Sequence, residues 1–99
     1  MSKSKQSKIR KSAKGEDCSL RLGQCSGNDT VVLAHIGRNK GWGMKCADYM
    51  AVYACYNCHD IIDGRAKSHF TKNELNTEKL RALEETLTKL IDKELINVV

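Results

Sequence analysis

The sequence has little of what a membrane anchor or a large aromatic core requires. No apolar stretch is long enough to span a bilayer, and the N-terminus lacks the apolar core of a secretory signal. Only one Trp and one Phe occur among 99 residues, a length near which a hydrophobic core alone is thin. These absences predict a single cytoplasmic domain with no membrane contact that needs a further source of stability, such as a bound metal.

Acidic side chains are absent from the first fourteen residues. This segment carries six basic residues, whereas the remaining chain has 11 basic against 12 acidic residues. A segment of this composition is typical of a disordered arm that follows an acidic polymer, and a solubilising end is the alternative. We therefore predict a disordered basic tail over residues 1–14 and a single domain over residues 15–99.

Four of the five cysteines form two close pairs, Cys18 with Cys25 and Cys55 with Cys58. Zinc prefers four soft ligands in a tetrahedron, and short spacings let each pair bind from one turn. In a reducing compartment, paired cysteines bind metal more often than they form disulfides. The pattern predicts a structural Zn²⁺ site formed by all four thiolates. Cys46 belongs to neither pair and is interpreted as a free thiol.

The string Cys55-x-x-Cys58-His59 has two other interpretations. It is the attachment pattern of c-type haem, and a CxxC pair also occurs in thioredoxin-like redox proteins. Haem attachment normally requires export and would leave the first cysteine pair without a purpose. The βαβ pattern that surrounds a thioredoxin-like pair is missing. A zinc site is the interpretation that uses all four cysteines.

Hydrophobic patterning predicts two strands and two helices. Residues 30–36 are apolar and β-branched, and residues 50–54 return as a second strand, which indicates a hairpin with a long, glycine-rich connection. A short helix is expected over residues 56–65. A capping box that begins at Thr71 precedes leucines at helical intervals, which predict one amphipathic helix over residues 74–97. The predicted fold class is α+β.

In this order the motifs resemble the zinc-bearing HNH, or His-Me finger, endonucleases, and in particular the YbcO-type prophage nucleases. The resemblance covers about residues 11–70 and is carried by Lys11-Ser-Ala-Lys-Gly15, Val32-Leu-Ala-His-Ile36 and Ala54-Cys-Tyr-Asn-Cys-His-Asp60. It implies a small zinc-bearing ββα-metal core followed by the C-terminal amphipathic helix. It also implies metal-dependent hydrolysis of DNA in a bacterial or phage-infected host cell, in phage or prophage recombination or DNA processing.

The resemblance gives roles to two histidines. His35, at the end of the first strand, would be the general base, because imidazole can accept a proton from water near neutral pH. His59 would bind a catalytic Mg²⁺ or Mn²⁺, with Asp63, one helical turn later, as second ligand. Asp48 is the candidate that fixes the tautomer of the base through a hydrogen bond. A histidine that only caps the sheet, and one that replaces a cysteine at zinc, are the alternatives.

Four basic residues are the candidate nucleic-acid contacts, namely Arg38, Lys40 and Lys45 in the connection after the base and Arg65 after the metal helix. Arg65 could also stabilise charge that develops on the phosphate. The chain departs from the HNH pattern at Ala34, which can bind no metal, and it has no clear counterpart of the middle asparagine. These departures support the alternative of a catalytically inactive, zinc-stabilised DNA-binding module. The end of the last helix leaves room for a homodimer contact.

Overall fold

The computed structural model describes residues 8–23, 25–36 and 49–97. Its elements in chain order are strand β1 (Val32–His35), strand β2 (Ala51–Ala54), helix α1 (Tyr56–Ile62) and helix α2 (Lys72–Asp92). Residues 8–12 are also helical. The predicted α+β class is therefore confirmed. No helix in the described ranges is both long and apolar enough to cross a membrane.

The two strands form an antiparallel sheet in which His35 lies opposite Ala51. β2 is buried along its whole length, whereas Ala34 is the only fully buried residue of β1. Both α1 and α2 pack against β2. A strand covered in this way needs apolar residues on both faces, which explains why the sequence of β2 does not alternate.

Within the described residues, the outer edge of β2 is closed by the Thr86 side chain and the Ser19 backbone rather than by a third strand. The Tyr53 N–H donates to Thr86 Oγ1 at 3.1 Å, and the Tyr53 carbonyl accepts from the Ser19 N–H at 2.8 Å. The hydroxyl groups of Thr86 and Ser19 are 3.3 Å apart, and both residues are fully buried. Buried polar groups are tolerated when they are hydrogen-bonded, so this pair satisfies an edge that would otherwise lack partners.

Helix α2 begins with the predicted capping box. The Thr71 N–H donates to Glu74 Oε1 at 2.7 Å, and the Glu74 N–H donates to Thr71 Oγ1 at 3.1 Å. The helix ends at Asp92, five residues before the predicted end, because Glu94 has a φ of +60°. The Leu95 N–H then bonds back to the Leu90 carbonyl at 2.9 Å, which is a Schellman ending.

The described part of the predicted tail is folded, so the prediction of disorder is wrong for residues 8–14. Ala13 is buried, and Ile9 packs against the core. Ser12 Oγ shares a hydrogen bond of 2.7 Å with the Tyr53 hydroxyl. Ile9 and Ala13 are four residues apart, so the helical backbone places them on one face. The first seven residues lie outside the described part of the chain.

Candidate functional site

The four cysteines of the two sequence pairs lie in one cluster. Their sulfur atoms are all within 4.8 Å of one another. Cys18, Cys55 and Cys58 are buried, and Cys25 is partly exposed. Four sulfurs are the ligand number of a closed structural site, so the cluster could hold a metal ion such as zinc. The cluster contains no histidine, which leaves His59 for another role.

Local backbone geometry brings each pair of sulfurs together. Cys55 is the N-cap of α1, and its sulfur accepts a hydrogen bond from the Cys58 N–H at 3.5 Å. On the other side of the cluster, the Gly27 N–H donates to Cys25 Sγ at 3.4 Å, and the Gly27 carbonyl accepts from the Cys18 N–H at 3.0 Å. Gly27 has a φ of +68°, a conformation that glycine adopts without steric cost.

Backbone N–H groups are directed at all four sulfurs. The donors are Arg21 to Cys18 at 3.5 Å, Gly27 to Cys25 at 3.4 Å, Ser26 to Cys55 at 3.3 Å and Leu22 to Cys58 at 3.2 Å. A hydrogen bond to an ionised group favours the ionised form. The backbone around the cluster is therefore arranged to offset negative charge on the sulfurs.

The protons of the cluster are coupled. A hydrogen bond from the Cys58 thiol lowers the pKa of Cys18. The same hydrogen bond raises the pKa of Cys58, and burial raises the pKa of Cys25. Ionisation of one thiol therefore disfavours ionisation of its neighbours. A divalent cation would allow all four to be thiolates, because its charge compensates theirs.

Helix α2 holds the loop that carries the first cysteine pair. The Arg81 guanidinium donates to the Ser19 carbonyl at 2.9 Å and to the Leu20 carbonyl at 2.8 Å. Glu85 accepts from Arg81 at 2.6 Å and from Arg21 at 2.8 and 2.9 Å. Arg21, followed by Arg81, lowers the pKa of Glu85 to about 2. The carboxylate therefore stays ionised and keeps both guanidinium groups in place.

Helix α1 brings together the two residues predicted to bind a catalytic cation. His59 Nε2 lies 3.1 Å from Asp63 Oδ2, and the two side chains are 26% and 17% exposed. The spacing of four residues puts both on one face of the helix. Arg65 Nη2 lies 3.5 Å from the same carboxylate oxygen, and its side chain is 71% exposed. The guanidinium group therefore remains accessible from solvent.

The predicted base, His35, lies at a surface groove. The groove has a volume of about 670 Å³ and is lined by His35, Val31, Val32, Leu33, Arg10, Lys11 and Lys14. The prediction of a disordered tail did not place Arg10, Lys11 and Lys14 next to His35. The helical spacing of Ile9 and Ala13 was the signal in the sequence that could have placed them there.

Four predicted site residues and one departure from the HNH pattern remain. Asp48, Arg38, Lys40 and Lys45 lie outside the described residues, so their roles remain predictions. Ala34 is fully buried in the core. Successive side chains of a strand point to opposite faces, so position 34 cannot present a ligand on the face of His35.

These observations define a small α+β protein with a four-cysteine cluster that could hold a metal ion. The chain matches the family described as "Putative nuclease YbcO" over residues 7–94 and belongs to that family. The predicted YbcO-type resemblance is therefore confirmed.

Two curated relatives and one solved structure are similar to this chain. "Putative nuclease YbcO" of Escherichia coli (strain K12) and "Putative nuclease ybcO" of Enterobacteria phage 82 are each 47% identical over 66 residues, which is 63% of this chain and 67% of the relative. The solved structure is described as "Structure of a putative bacteriophage protein from Escherichia coli str. K-12 substr. MG1655". It has a TM-score of 0.68 and 33% identity, and the match covers 88% of this chain and 100% of that chain.

Proposed function

We propose that this protein is a metal-dependent DNA endonuclease of the HNH, or His-Me finger, type, with a structural Zn²⁺ in the cysteine cluster. The family and both curated relatives are named as nucleases. One observation carries the finer proposal. β1 ends in His35, β2 leads directly into the cysteine cluster, and the helix that follows carries His59 and Asp63. This strand–strand–helix order is the one that the resemblance to ββα-metal nucleases implies.

In this proposal the protein hydrolyses a phosphodiester bond. His35 removes a proton from the attacking water, and Asp48 orients the imidazole through its other nitrogen. His59 and Asp63 would hold Mg²⁺ or Mn²⁺, which would supply charge neutralisation at the phosphate and the departing oxygen. Arg65, in its exposed position beside Asp63, stabilises the negative charge of the phosphate with its own positive charge.

The geometry of His59 and Asp63 fits a shared cation. Two neighbouring ligands of an octahedral Mg²⁺, each about 2.1 Å from the ion, are about 3.0 Å apart. The observed separation of His59 Nε2 and Asp63 Oδ2 is 3.1 Å. Mg²⁺ usually keeps several waters and gains further oxygen ligands from a substrate phosphate. Two protein ligands are therefore compatible with a cation that binds firmly only together with DNA.

The proposal extends to the context of the reaction. The relative from Enterobacteria phage 82 and the bacteriophage description of the solved structure support a role in phage or prophage DNA processing or recombination, in the cytoplasm of a bacterial or phage-infected host cell. Arg38, Lys40 and Lys45 are proposed DNA contacts. A homodimer through α2 is supported by the exposure of Leu80 (59%) and Ile91 (41%), which lie three helical turns apart on one face. Sedimentation over a range of concentrations tests the dimer.

A catalytically inactive, zinc-stabilised DNA-binding module is the second candidate. The buried Ala34 favours it, because the strand can offer no further metal ligand beside the base. Such a module would keep the cysteine cluster and the basic surface and would lack turnover.

A plasmid-nicking assay separates the two candidates. We expect wild-type protein to nick supercoiled DNA with Mg²⁺ or Mn²⁺, and an EDTA control to show no nicking while zinc content is measured in parallel. His35→Ala should reduce the rate roughly 10²–10⁴-fold. His69→Ala is the matched control, because His69 is an exposed histidine stacked on Phe70. Nicking by His35→Ala at the wild-type rate would refute the base assignment, and DNA binding without any nicking would support the inactive module.

A further inference from the structure

The groove at His35 has a basic wall made by the N-terminal segment. Lys11 and Lys14 line it together with His35, and both lysines are exposed. Val31 and the β1 residues Val32 and Leu33 line the same groove and are uncharged. The two positively charged lysines and the predicted base therefore line the same groove, which has a volume of about 670 Å³.

Three contacts fix this segment to the domain. Ala13 is buried in the core, and Ser12 Oγ shares a hydrogen bond of 2.7 Å with the buried Tyr53. Glu16 Oε2 lies 2.7 Å from Lys93 Nζ at the end of α2. The hydrogen bond from Lys93 is the main cause that lowers the pKa of Glu16, so this carboxylate stays charged near neutral pH. The lysines are consequently attached to an anchored backbone.

The charge on the groove lysines is not neutralised within the described ranges. Neither Lys11 nor Lys14 has an acidic partner there, whereas Lys93 and Lys89 both face Glu16, at 2.7 and 3.7 Å. A pair of unneutralised ammonium groups beside an uncharged strand is suited to an anionic polymer, because phosphate contacts require charge and no base-edge readout.

We propose that Lys11 and Lys14 are positioning residues that hold the phosphate backbone of DNA in the groove against His35. This inference rests on the proposed function and deepens it. An arm that is free to move would raise affinity only. An anchored pair also fixes the distance between the scissile phosphate and the base, and misplacement of reacting groups by about 1 Å can cost roughly 100-fold in rate. The lysines should therefore affect the rate at saturation as well as binding.

The test compares two variants with the same change in net charge. Lys11→Gln/Lys14→Gln alters the groove. Lys72→Gln/Lys79→Gln alters α2 at two lysines that have no acidic partner among the described residues. Duplex DNA binding is measured over a salt series without divalent cations, and single-turnover cleavage is measured at saturating enzyme. Lys11→Arg/Lys14→Arg tests rescue by retained charge.

We expect the groove variant to lose affinity and to reduce the slope of log K against log salt by about 1.8, which is 0.9 for each of two phosphates. Its saturating cleavage rate should fall roughly tenfold or more, and the arginine variant should restore both properties. The α2 variant should change neither. A groove variant that behaves like the α2 variant would overturn the proposal. Weaker binding with an unchanged saturating rate would also overturn it, because the lysines would then not position the phosphate.

A measurement that needs no turnover keeps this inference separate from the nuclease proposal. The ring ¹H and ¹³C signals of His35 are followed by NMR as the same duplex is added, with His69 as the internal reference. We expect the His35 signals to shift with wild-type protein and to shift much less with Lys11→Gln/Lys14→Gln when each protein is saturated with DNA. If wild-type protein never cuts but this difference is seen, the nuclease proposal fails and the groove assignment stands. Equal shifts in both proteins would refute the groove assignment.

Discussion

Removal of the metal from the cysteine cluster should unfold the protein. Three of the fourteen buried apolar residues in the described chain are cluster cysteines, so the cluster is part of the core. Structural Zn²⁺ contributes about 10–16 kcal/mol of apparent folding free energy in small domains. Whole domains are stable by only about 5–15 kcal/mol. The ion would therefore account for most or all of the net stability.

The assay combines metal analysis with unfolding. Purified protein should contain one zinc per chain, and a chelator strong enough to remove it should abolish the cooperative thermal transition seen by circular dichroism. Cys58→Ser should have the same effect, because serine replaces a soft thiolate ligand while leaving a group that can accept the Leu22 N–H. Cys46→Ser is the control, since this cysteine belongs to neither pair, and it should retain zinc and fold.

Two results would refute this reasoning. The first is a metal-free protein that melts cooperatively at the temperature of the zinc-loaded protein, which would show that the hydrophobic core suffices. The second is a covalently attached haem in the purified protein, which would give Cys55 and Cys58 a different role.

Three further substitutions and one pH dependence have defined outcomes. His59→Ala should reduce nicking while zinc content is retained, and excess Mn²⁺ should restore part of the activity by mass action on a weakened site; a wild-type rate in Mg²⁺ would refute the assignment. Arg81→Ala should lower the free energy of unfolding by about 2–3 kcal/mol in urea titrations, because two loop carbonyls lose a charged donor. Arg21→Ala should lower it by about 1 kcal/mol or less, because that side chain is half exposed. Equal losses would contradict the role given to the carbonyl contacts. Glu85 has a pKa lowered from 4.5 to about 2. Its contribution to the free energy of unfolding is therefore complete above about pH 4.5 and is lost as the pH falls toward 2.

Residue types and their spacing in the sequence predicted the features that depend on residues close together in the chain. The cysteine spacings indicated which sulfurs belong together, and Thr71 with Glu74 indicated the start of α2. The end of α2 was placed too late because Leu95 continues the apolar pattern. It does so as the residue after the left-handed Glu94, where a Schellman ending commonly has an apolar contact.

Features that depend on contacts between residues far apart in the chain could not be predicted from the hydrophobic and charge patterns of the sequence. Tyr53 accounts for two of them, because its backbone bonds to Thr86 and Ser19 and its hydroxyl bonds to Ser12. The charge of the N-terminal segment indicated a solvated arm, whereas the apolar contacts of Ile9 and Ala13 and the hydrogen bond of Ser12 to Tyr53 dock its described part. Charge composition averages over a segment, whereas docking is decided by single side chains.

The uneven burial of the cluster has a consequence for its chemical lifetime. Cys25 is the one partly exposed member of the four, and the other three sulfurs lie behind it in the core. Oxidants and alkylating reagents act on accessible sulfur, so damage to the cluster should begin at this residue. The rate at which a bound ion exchanges with solvent should likewise depend on how often Cys25 moves away from it. In an ageing preparation, oxidation of the cluster would then be detected first at Cys25.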